Sequence, residues 1–147
     1  MKEVTFREAV REAMVEEMRR EKFLFLAGTD VGPYGGEFRV SGNMHSEFGE
    51  WRVKDTPISE QGIIGLALGA SITGCKAIAE IPFMDFITMP MDQIVNQVAK
   101  YTYTFGGQTN VPVVIRTAMG GYIRAAEQHS QCLEAWFTNV PGLKVNP

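Results

Sequence analysis

The chain has 147 residues, of which 45% are hydrophobic, and a formal net charge of −3. This size predicts one domain with its own apolar core, and the weak negative charge with scattered basic residues argues against a nucleic-acid partner. No apolar run is long enough to span a membrane, and the charged N-terminus lacks the apolar core of a signal peptide. We therefore expect a soluble protein of the cytoplasm or of an organelle matrix.

The start of the chain predicts a helix, a strand and a long loop. Residues 5–22 carry apolar side chains at helical spacing, and Thr5 with Glu8 has the S/T-x-x-E pattern of a capping box. The apolar run FLFLAG, residues 23–28, is typical of a buried parallel strand. The glycine-rich residues 29–50 have no clear period, so we expect a loop there.

A glycine-rich helix is predicted over residues 60–73, after the extended segment RVKDTPIS. Ser59 is a suitable N-cap and Gly74 a suitable stop. The apolar residues point in several directions, which predicts burial on most sides. Three glycines inside the helix each cost about 1 kcal/mol of helix propensity relative to alanine, so we expect a backbone, a ligand or another subunit to approach closely there. These glycines are Gly62, Gly65 and Gly69.

The second half of the chain alternates strands and helices. The predicted elements are a strand at residues 76–83, a helix at 91–105 opened by Pro90, a strand at 111–117, a helix at 131–137 capped by Ser130, and the start of a strand at 142–145. This alternation indicates an α/β domain with a parallel sheet and helices on both faces. Ligands of such folds bind at the carboxyl ends of the strands.

Several polar and aromatic residues fall at these predicted strand ends, and each has an ordinary structural explanation beside a functional one. The candidates are Glu60, Glu80, Asp85, Phe86, Glu127 and His129. An acid such as Glu60 is common in the first turn of a helix, where it is worth about 0.3–1 kcal/mol. Phe86 suits a core, and His129 suits a loop beside a helix cap. The chain has no P-loop, dinucleotide fingerprint or nucleophile elbow, and its two separate cysteines predict no metal site.

Four long segments carry a resemblance to a known family: DTPISEQGIIGLALGASITG, AEIPFMDFITMPMDQIVNQVAKY, FGGQTNVPVVIRT and EQHSQCLEAWFTNVPGLKV. In this order they resemble the beta subunit of the thiamine-diphosphate-dependent 2-oxoacid dehydrogenases, which include the pyruvate, branched-chain and acetoin enzymes. The resemblance implies that residues 1–147 form a transketolase-like pyrimidine-binding domain. It also implies that this domain is incomplete at its carboxyl end and that the family's carboxyl-terminal domain is absent.

The resemblance assigns roles to four residues. Glu60 matches the glutamate that hydrogen-bonds the aminopyrimidine of thiamine diphosphate and activates the cofactor, and Phe86 matches the aromatic residue that stacks on this ring. His129 matches the histidine that faces the reacting centre, where it handles protons and assists acyl transfer to the lipoyl arm. Pro82 stands where the family often has glutamine or another side chain that contacts the pyrimidine edge. Because proline has no N–H, one contact is altered.

The resemblance also implies cofactors and partners. An alpha subunit is expected to hold the diphosphate and Mg²⁺, so the thiamine diphosphate site is shared and this chain alone is inactive. A second beta chain and the lipoyl acyltransferase core complete the expected assembly. The implied reaction is oxidative decarboxylation of a 2-oxoacid, with pyruvate the first choice. Two alternatives stay open: another transketolase-like thiamine enzyme, and a non-catalytic fragment that acts as an assembly module.

Overall fold

A parallel four-stranded sheet organises residues 3–146, the part of the chain that the computed structural model describes. The strand order is β2-β1-β3-β4. The strands are β1 (Leu24–Gly28), β2 (Val53–Asp55), β3 (Lys76–Phe83) and β4 (Val113–Ala118). All three strand pairs are parallel, which confirms the predicted sheet.

Helices cover both faces of this sheet, as predicted. On one face lie α1 (Phe6–Arg20) and the short α2 (Met44–Phe48), and on the other lies α3 (Glu60–Ile72). Successive side chains of a strand point to opposite faces. The α1 face therefore receives Leu24, Leu26 and Ile78, and the α3 face receives Phe25, Ala77, Ala79 and Ile81.

The remaining helical segments are short and follow β3 or β4. They are a 3₁₀ turn at Met84–Thr88, a π-helical segment at Gln93–Val98, α4 (Tyr101–Thr104), a 3₁₀ turn at Gly121–Ile123 and α5 (Ala135–Thr138). Ile94 and Phe137 are buried in the α3-face core. No helix within residues 3–146 has the length and apolarity needed to cross a bilayer.

Both predicted N-caps at the two long helices are confirmed. The hydroxyl of Thr5 accepts from the Glu8 amide at 3.2 Å, and the Glu8 carboxylate accepts from the Thr5 amide at 2.8 Å. The Ser59 hydroxyl accepts from the Gly62 amide at 3.2 Å, which places Glu60 in the first turn of α3. Gly74 follows this helix with φ +103°, a conformation that suits glycine.

The predicted burial of α3 on most sides is wrong. Only one side of the helix packs on the sheet, and Leu66 on another side is 43% exposed. A Cβ built at Gly65 or Gly69 would meet no described atom within 4 Å. No segment of this chain within residues 3–146 therefore explains these two glycines, and the expected contact with a subunit or a ligand stays a prediction.

Two predictions in the middle of the chain need correction. The loop at residues 29–50 contains α2, which packs the fully buried Met44 into the α1-face core. The predicted helix at 91–105 is interrupted near Ala99, whose amide bonds to the Ile94 carbonyl five residues earlier at 2.9 Å. Gly142 lies so close to the Ala99 carbonyl that an added Cβ would overlap it. This contact occurs at the same residue as the five-residue hydrogen bond that interrupts the helix.

The predictions for the last part of the chain are also corrected. Ser130 does not cap a helix, because its hydroxyl accepts from the Ala125 amide at 3.1 Å, and α5 begins only at Ala135. Residues 142–145 pair with no strand in the described chain. Leu143 and Val145 instead pack their side chains against the α3-face core.

Candidate functional site

The predicted site residues lie where the strands end. Because β2, β3 and β4 are parallel, their carboxyl ends meet at one edge of the sheet. At this edge the chain continues into α3 after β2, into the 3₁₀ turn after β3, and into residues 119–134 after β4. Glu60, Phe86 and His129 belong to these three continuations, which is where the sequence predicted a ligand.

His129 lies inside an aromatic cluster. Its imidazole centroid is 4.6 Å from the ring of Phe83 and 5.2 Å from that of Phe86, with interplanar angles of 80° and 86°. The ring of Phe38, from the loop after β1, contacts Phe83 at 5.3 Å. Edge-to-face contacts of this kind are favourable and orient the rings. The structure thus brings Phe86 and His129 together although they are 43 positions apart in sequence (129 − 86).

Glu60 is half-buried at the start of α3. Within residues 3–146, no group donates a hydrogen bond to its carboxylate and no cation pairs with it. The next residue, Gln61, donates from Nε2 to the Met89 carbonyl at 3.0 Å, which ties the first turn of α3 to the segment that follows Phe86. The positive end of the helix dipole favours a negative carboxylate at this position. Glu60 is therefore an acceptor without a described partner, close to the 3₁₀ turn.

Pro82 explains a local irregularity of the sheet. Ile81 pairs with Thr117 and Phe83 pairs with the very next residue of β4, Ala118, so Pro82 is the extra residue of a bulge. Proline cannot donate to a strand ladder, and bulges re-aim the side chains beside them. Phe83, one of the two phenylalanines that contact the His129 ring, follows the bulge directly and is the last residue of β3. Pro82 itself is half-buried.

A shallow cleft of about 330 Å³ opens beside Phe86. Its lining residues are Asp85, Phe86, Thr88, Gln128, Gln131, Leu133 and Trp136. Asp85 is only 7% exposed and accepts a hydrogen bond of 2.7 Å from Gln131 Nε2. The walls of the cleft thus combine a phenylalanine, an indole and amide groups, which suit a flat, partly polar ligand.

Sequence reasoning gave no role to Glu80, and the structure buries it on the α1 face of the sheet. Its carboxylate Oε2 lies 2.6 Å from Nη1 of Arg116, the residue opposite it on β4. The contact has the distance of an ion pair, but its direction is not that of a hydrogen bond, since Oε2 has no hydrogen-bond partner among the described residues. Burial raises the pKa of Glu80, and Arg116 partly opposes this rise.

The signal for this ion pair was present in the sequence but needed the strand register. Glu80 alternates with the apolar Ala79 and Ile81, so it had to face the opposite side of β3. Arg116 occupies the corresponding place in the next strand. Glu127, the other acid in the candidate set, is exposed in the loop before His129. In residues 3–146 no three histidine, cysteine or acidic side chains form a metal-binding group.

Comparison with known proteins identifies the fold family. The family model for the pyrimidine-binding domain of transketolase matches residues 2–146. The chain belongs to this family. A solved structure described as a split-gene transketolase, an inactive beta4 tetramer, matches with a TM-score of 0.64 and 23% identity, over 90% of this chain and 39% of that chain. At this identity the likeness concerns the fold, and it confirms the transketolase-like domain.

The sequence relatives are beta subunits. The chain is 45% identical, over 99% of its length, to pyruvate dehydrogenase E1 component subunit beta of Rhizobium meliloti. It is 43% identical to acetoin:2,6-dichlorophenolindophenol oxidoreductase subunit beta and 41% identical to 2-oxoisovalerate dehydrogenase subunit beta, both of Bacillus subtilis, over 96% and 99% of the chain. These relatives confirm the resemblance stated from the four quoted segments. The chain spans 32%, 45% and 44% of their respective lengths.

Proposed function

We propose that this transketolase-family chain supplies the pyrimidine-binding half of a thiamine-diphosphate site in a 2-oxoacid dehydrogenase. The observation that carries the proposal is the placement of His129 against Phe83 and Phe86 at the carboxyl edge of the sheet, with ring centroids 4.6 and 5.2 Å away. This edge is where α/β folds bind ligands. The names of the relatives, which are beta subunits of pyruvate, acetoin and oxoisovalerate enzymes, support the reaction class.

The residues present fit the aminopyrimidine of this cofactor. Such a ring needs an apolar face to lie on and an acceptor for its N–H groups. Phe86 offers a half-buried aromatic ring beside an open cleft, and Glu60 offers a carboxylate that no described group occupies. Bound thiamine diphosphate would supply the carbon nucleophile and the electron sink for loss of carbon dioxide.

This chain's residues would position the cofactor and manage protons. Glu60 would accept a hydrogen bond from the pyrimidine, the contact that favours the reactive form of this ring. Phe86 fixes the plane of the ring and excludes water from it, while Pro82 bounds the pyrimidine edge without offering an N–H. His129 would exchange a proton with the reacting substrate, because an imidazole can both donate and accept a proton. It also assists transfer of the acyl group to a lipoyl arm.

Partners complete the proposed site. An alpha subunit holds the diphosphate and Mg²⁺, a second beta chain completes the heterotetramer, and the lipoyl acyltransferase core receives the acyl group. Gly65 and Gly69 of α3, where an added Cβ would meet no described atom, and the open edge of β4 are the surfaces that we assign to subunit contacts. Pyruvate is the first substrate to test, because the relative at 45% identity is a pyruvate dehydrogenase subunit. Acetoin and 2-oxoisovalerate follow, because other relatives are named for these substrates.

The proposal is tested by pairing this chain with an alpha subunit and the rest of a beta subunit, and measuring decarboxylation of pyruvate with thiamine diphosphate and Mg²⁺. His129→Ala should lower the rate by about 10²–10⁴-fold, the usual contribution of a general acid or base. Glu60→Gln should also abolish most of the activity. His45→Ala and Glu50→Gln are matched controls in and after α2 and should leave the rate unchanged. Turnover by the 147-residue chain without a partner, or full activity in both site variants, would refute the proposal.

A further inference from the structure

Side-chain atoms, and not a helix or a strand, hold the segment that carries His129. The Ala125 amide donates to the Ser130 hydroxyl at 3.1 Å, and the Leu133 amide donates to the Met84 sulfur at 3.3 Å. Neither contact is a strong hydrogen bond of the kind that a carboxylate accepts. The position of the His129 imidazole therefore depends on a stronger contact of the residues between Ser130 and Leu133.

That contact is a buried carboxylate. Gln131 Nε2 donates to Asp85 Oδ1 at 2.7 Å, and the Gln131 amide donates to Oδ2 at 3.4 Å. Hydrogen bonds to a carboxylate are roughly twice as strong as those between neutral groups. Asp85 is only 7% exposed, so its carboxylate has little contact with water while Gln131 is in place. Both functional groups of one residue thus bind one carboxylate 46 positions away in sequence.

The carboxylate and the aromatic ring belong to the same rigid turn. Asp85 directly precedes Phe86 in the 3₁₀ turn, and the Thr88 hydroxyl donates to the Asp85 carbonyl at 3.0 Å. Gln131 lies two residues after His129, whose ring meets Phe86 at 5.2 Å. The segment is therefore fastened to the turn at two points, once by the carboxylate and once by the ring.

We infer that Asp85 is a positioning residue that holds the His129 imidazole against Phe83 and Phe86 through Gln131. Its carboxylate touches no part of the proposed ligand in this assignment, since Gln131 occupies it. The catalytic importance of this placement rests on the proposed function, but the placement itself is a property of the free chain. Without the carboxylate, the segment keeps only its weaker contacts and the imidazole leaves the aromatic cluster.

The experiment is two-dimensional ¹H–¹³C NMR of the histidine rings in the 147-residue chain. The two phenylalanine rings shift the His129 ring signals, and His45 in α2 serves as an internal reference because it is the only other histidine. Asp85→Ala and Gln131→Ala should each move the His129 signals toward those of a free histidine and leave the His45 signals in place. The double variant should show the same displacement as each single variant, because both remove one interaction. Asp85→Asn keeps an acceptor for Gln131 and should retain most of the wild-type shift.

Asp92→Ala is the matched control, since it removes a 2.8 Å bond between an aspartate and the amide of Asn96 on the exposed surface. It should leave both histidines unchanged. If Asp85→Ala does not fold, Gln131→Ala provides the test, because Gln131 is the exposed residue of the pair and its replacement disturbs the core less. Unchanged His129 signals in Gln131→Ala or in folded Asp85→Ala would overturn the inference, whatever the loss of stability. No cofactor is present in this test, so its failure leaves the proposed function standing, and an active His129→Ala enzyme would leave the NMR result standing.

Discussion

Two glycine-containing loops at the carboxyl edge of the sheet differ in how they are held. The loop at residues 29–43, after β1, is part of the core: Val31 and Ser41 are fully buried, and the Ser41 hydroxyl donates to the Val31 carbonyl at 2.7 Å. The loop at residues 119–130, after β4, is largely exposed, and Tyr122 is 97% exposed. The comparison indicates that the first loop is scaffold, while the second carries His129 and takes its position from a few contacts.

The buried ion pair lies between these two regions. Glu80 Oε1 would be 3.1 Å from a Cβ at Gly36 in the first loop, and Glu80 Oε2 pairs with Arg116, two residues before the end of β4. The pair therefore connects the buried loop to the strand that leads into the exposed one. Three predictions test whether this difference between the loops is real.

The largest effect is expected for Arg116→Ala. This substitution leaves the buried Glu80 carboxylate without its cation, a change that costs about 3–5 kcal/mol in the free energy of unfolding. Urea denaturation at neutral pH measures it. Replacing both residues by methionine removes the two charges together and should recover most of the loss. A loss below about 1 kcal/mol in Arg116→Ala would mean that the pair does not join the two regions.

A smaller effect is expected for Gly35→Ala in the buried loop. Gly35 has φ +88°, and an added Cβ would stand 3.0 Å from the backbone oxygen of Gly42. The strained backbone and the close contact together should cost about 1–3 kcal/mol. Gly121→Ala is the matched change in the exposed loop, where a Cβ meets no described atom within 4 Å, and it should be neutral or slightly stabilising. Equal losses in the two variants would remove the distinction between the loops.

The smallest effect is a pH dependence in Glu80→Gln. Burial raises the pKa of Glu80 in the folded state, so its contribution to stability is fully present below the ordinary pKa of 4.5 and is lost as pH rises through the folded pKa. Glutamine resembles the protonated acid and does not titrate. The free energy of unfolding of the variant, relative to wild type, should therefore rise as pH increases above about 4.5. Denaturation series at several pH values measure this difference, and a fall with rising pH would mean that the pKa of Glu80 is not raised in the folded state.

Local signals predicted the elements that local interactions stabilise. The capping box at Thr5 and Glu8 involves residues three apart, and so does the cap of Ser59 on Gly62. Both were readable because the donor and the acceptor occur within one helical turn. Ser130 was misread by the same rule. It had the right residue type for a cap, but its hydroxyl is used by the Ala125 amide, and a sequence pattern does not reveal such competition.

The sequence alone determined the α/β class, the parallel sheet and the membership of Glu60, Phe86 and His129 in segments that follow strand ends. These features depend on hydrophobic periodicity, on caps and on the order of the elements. Only the tertiary structure decided that Glu80 meets Arg116 and that Asp85 meets Gln131. Such pairs join positions 36 and 46 residues apart (116 − 80 and 131 − 85), so they depend on strand register and loop path, which the spacing of residues along a chain does not specify.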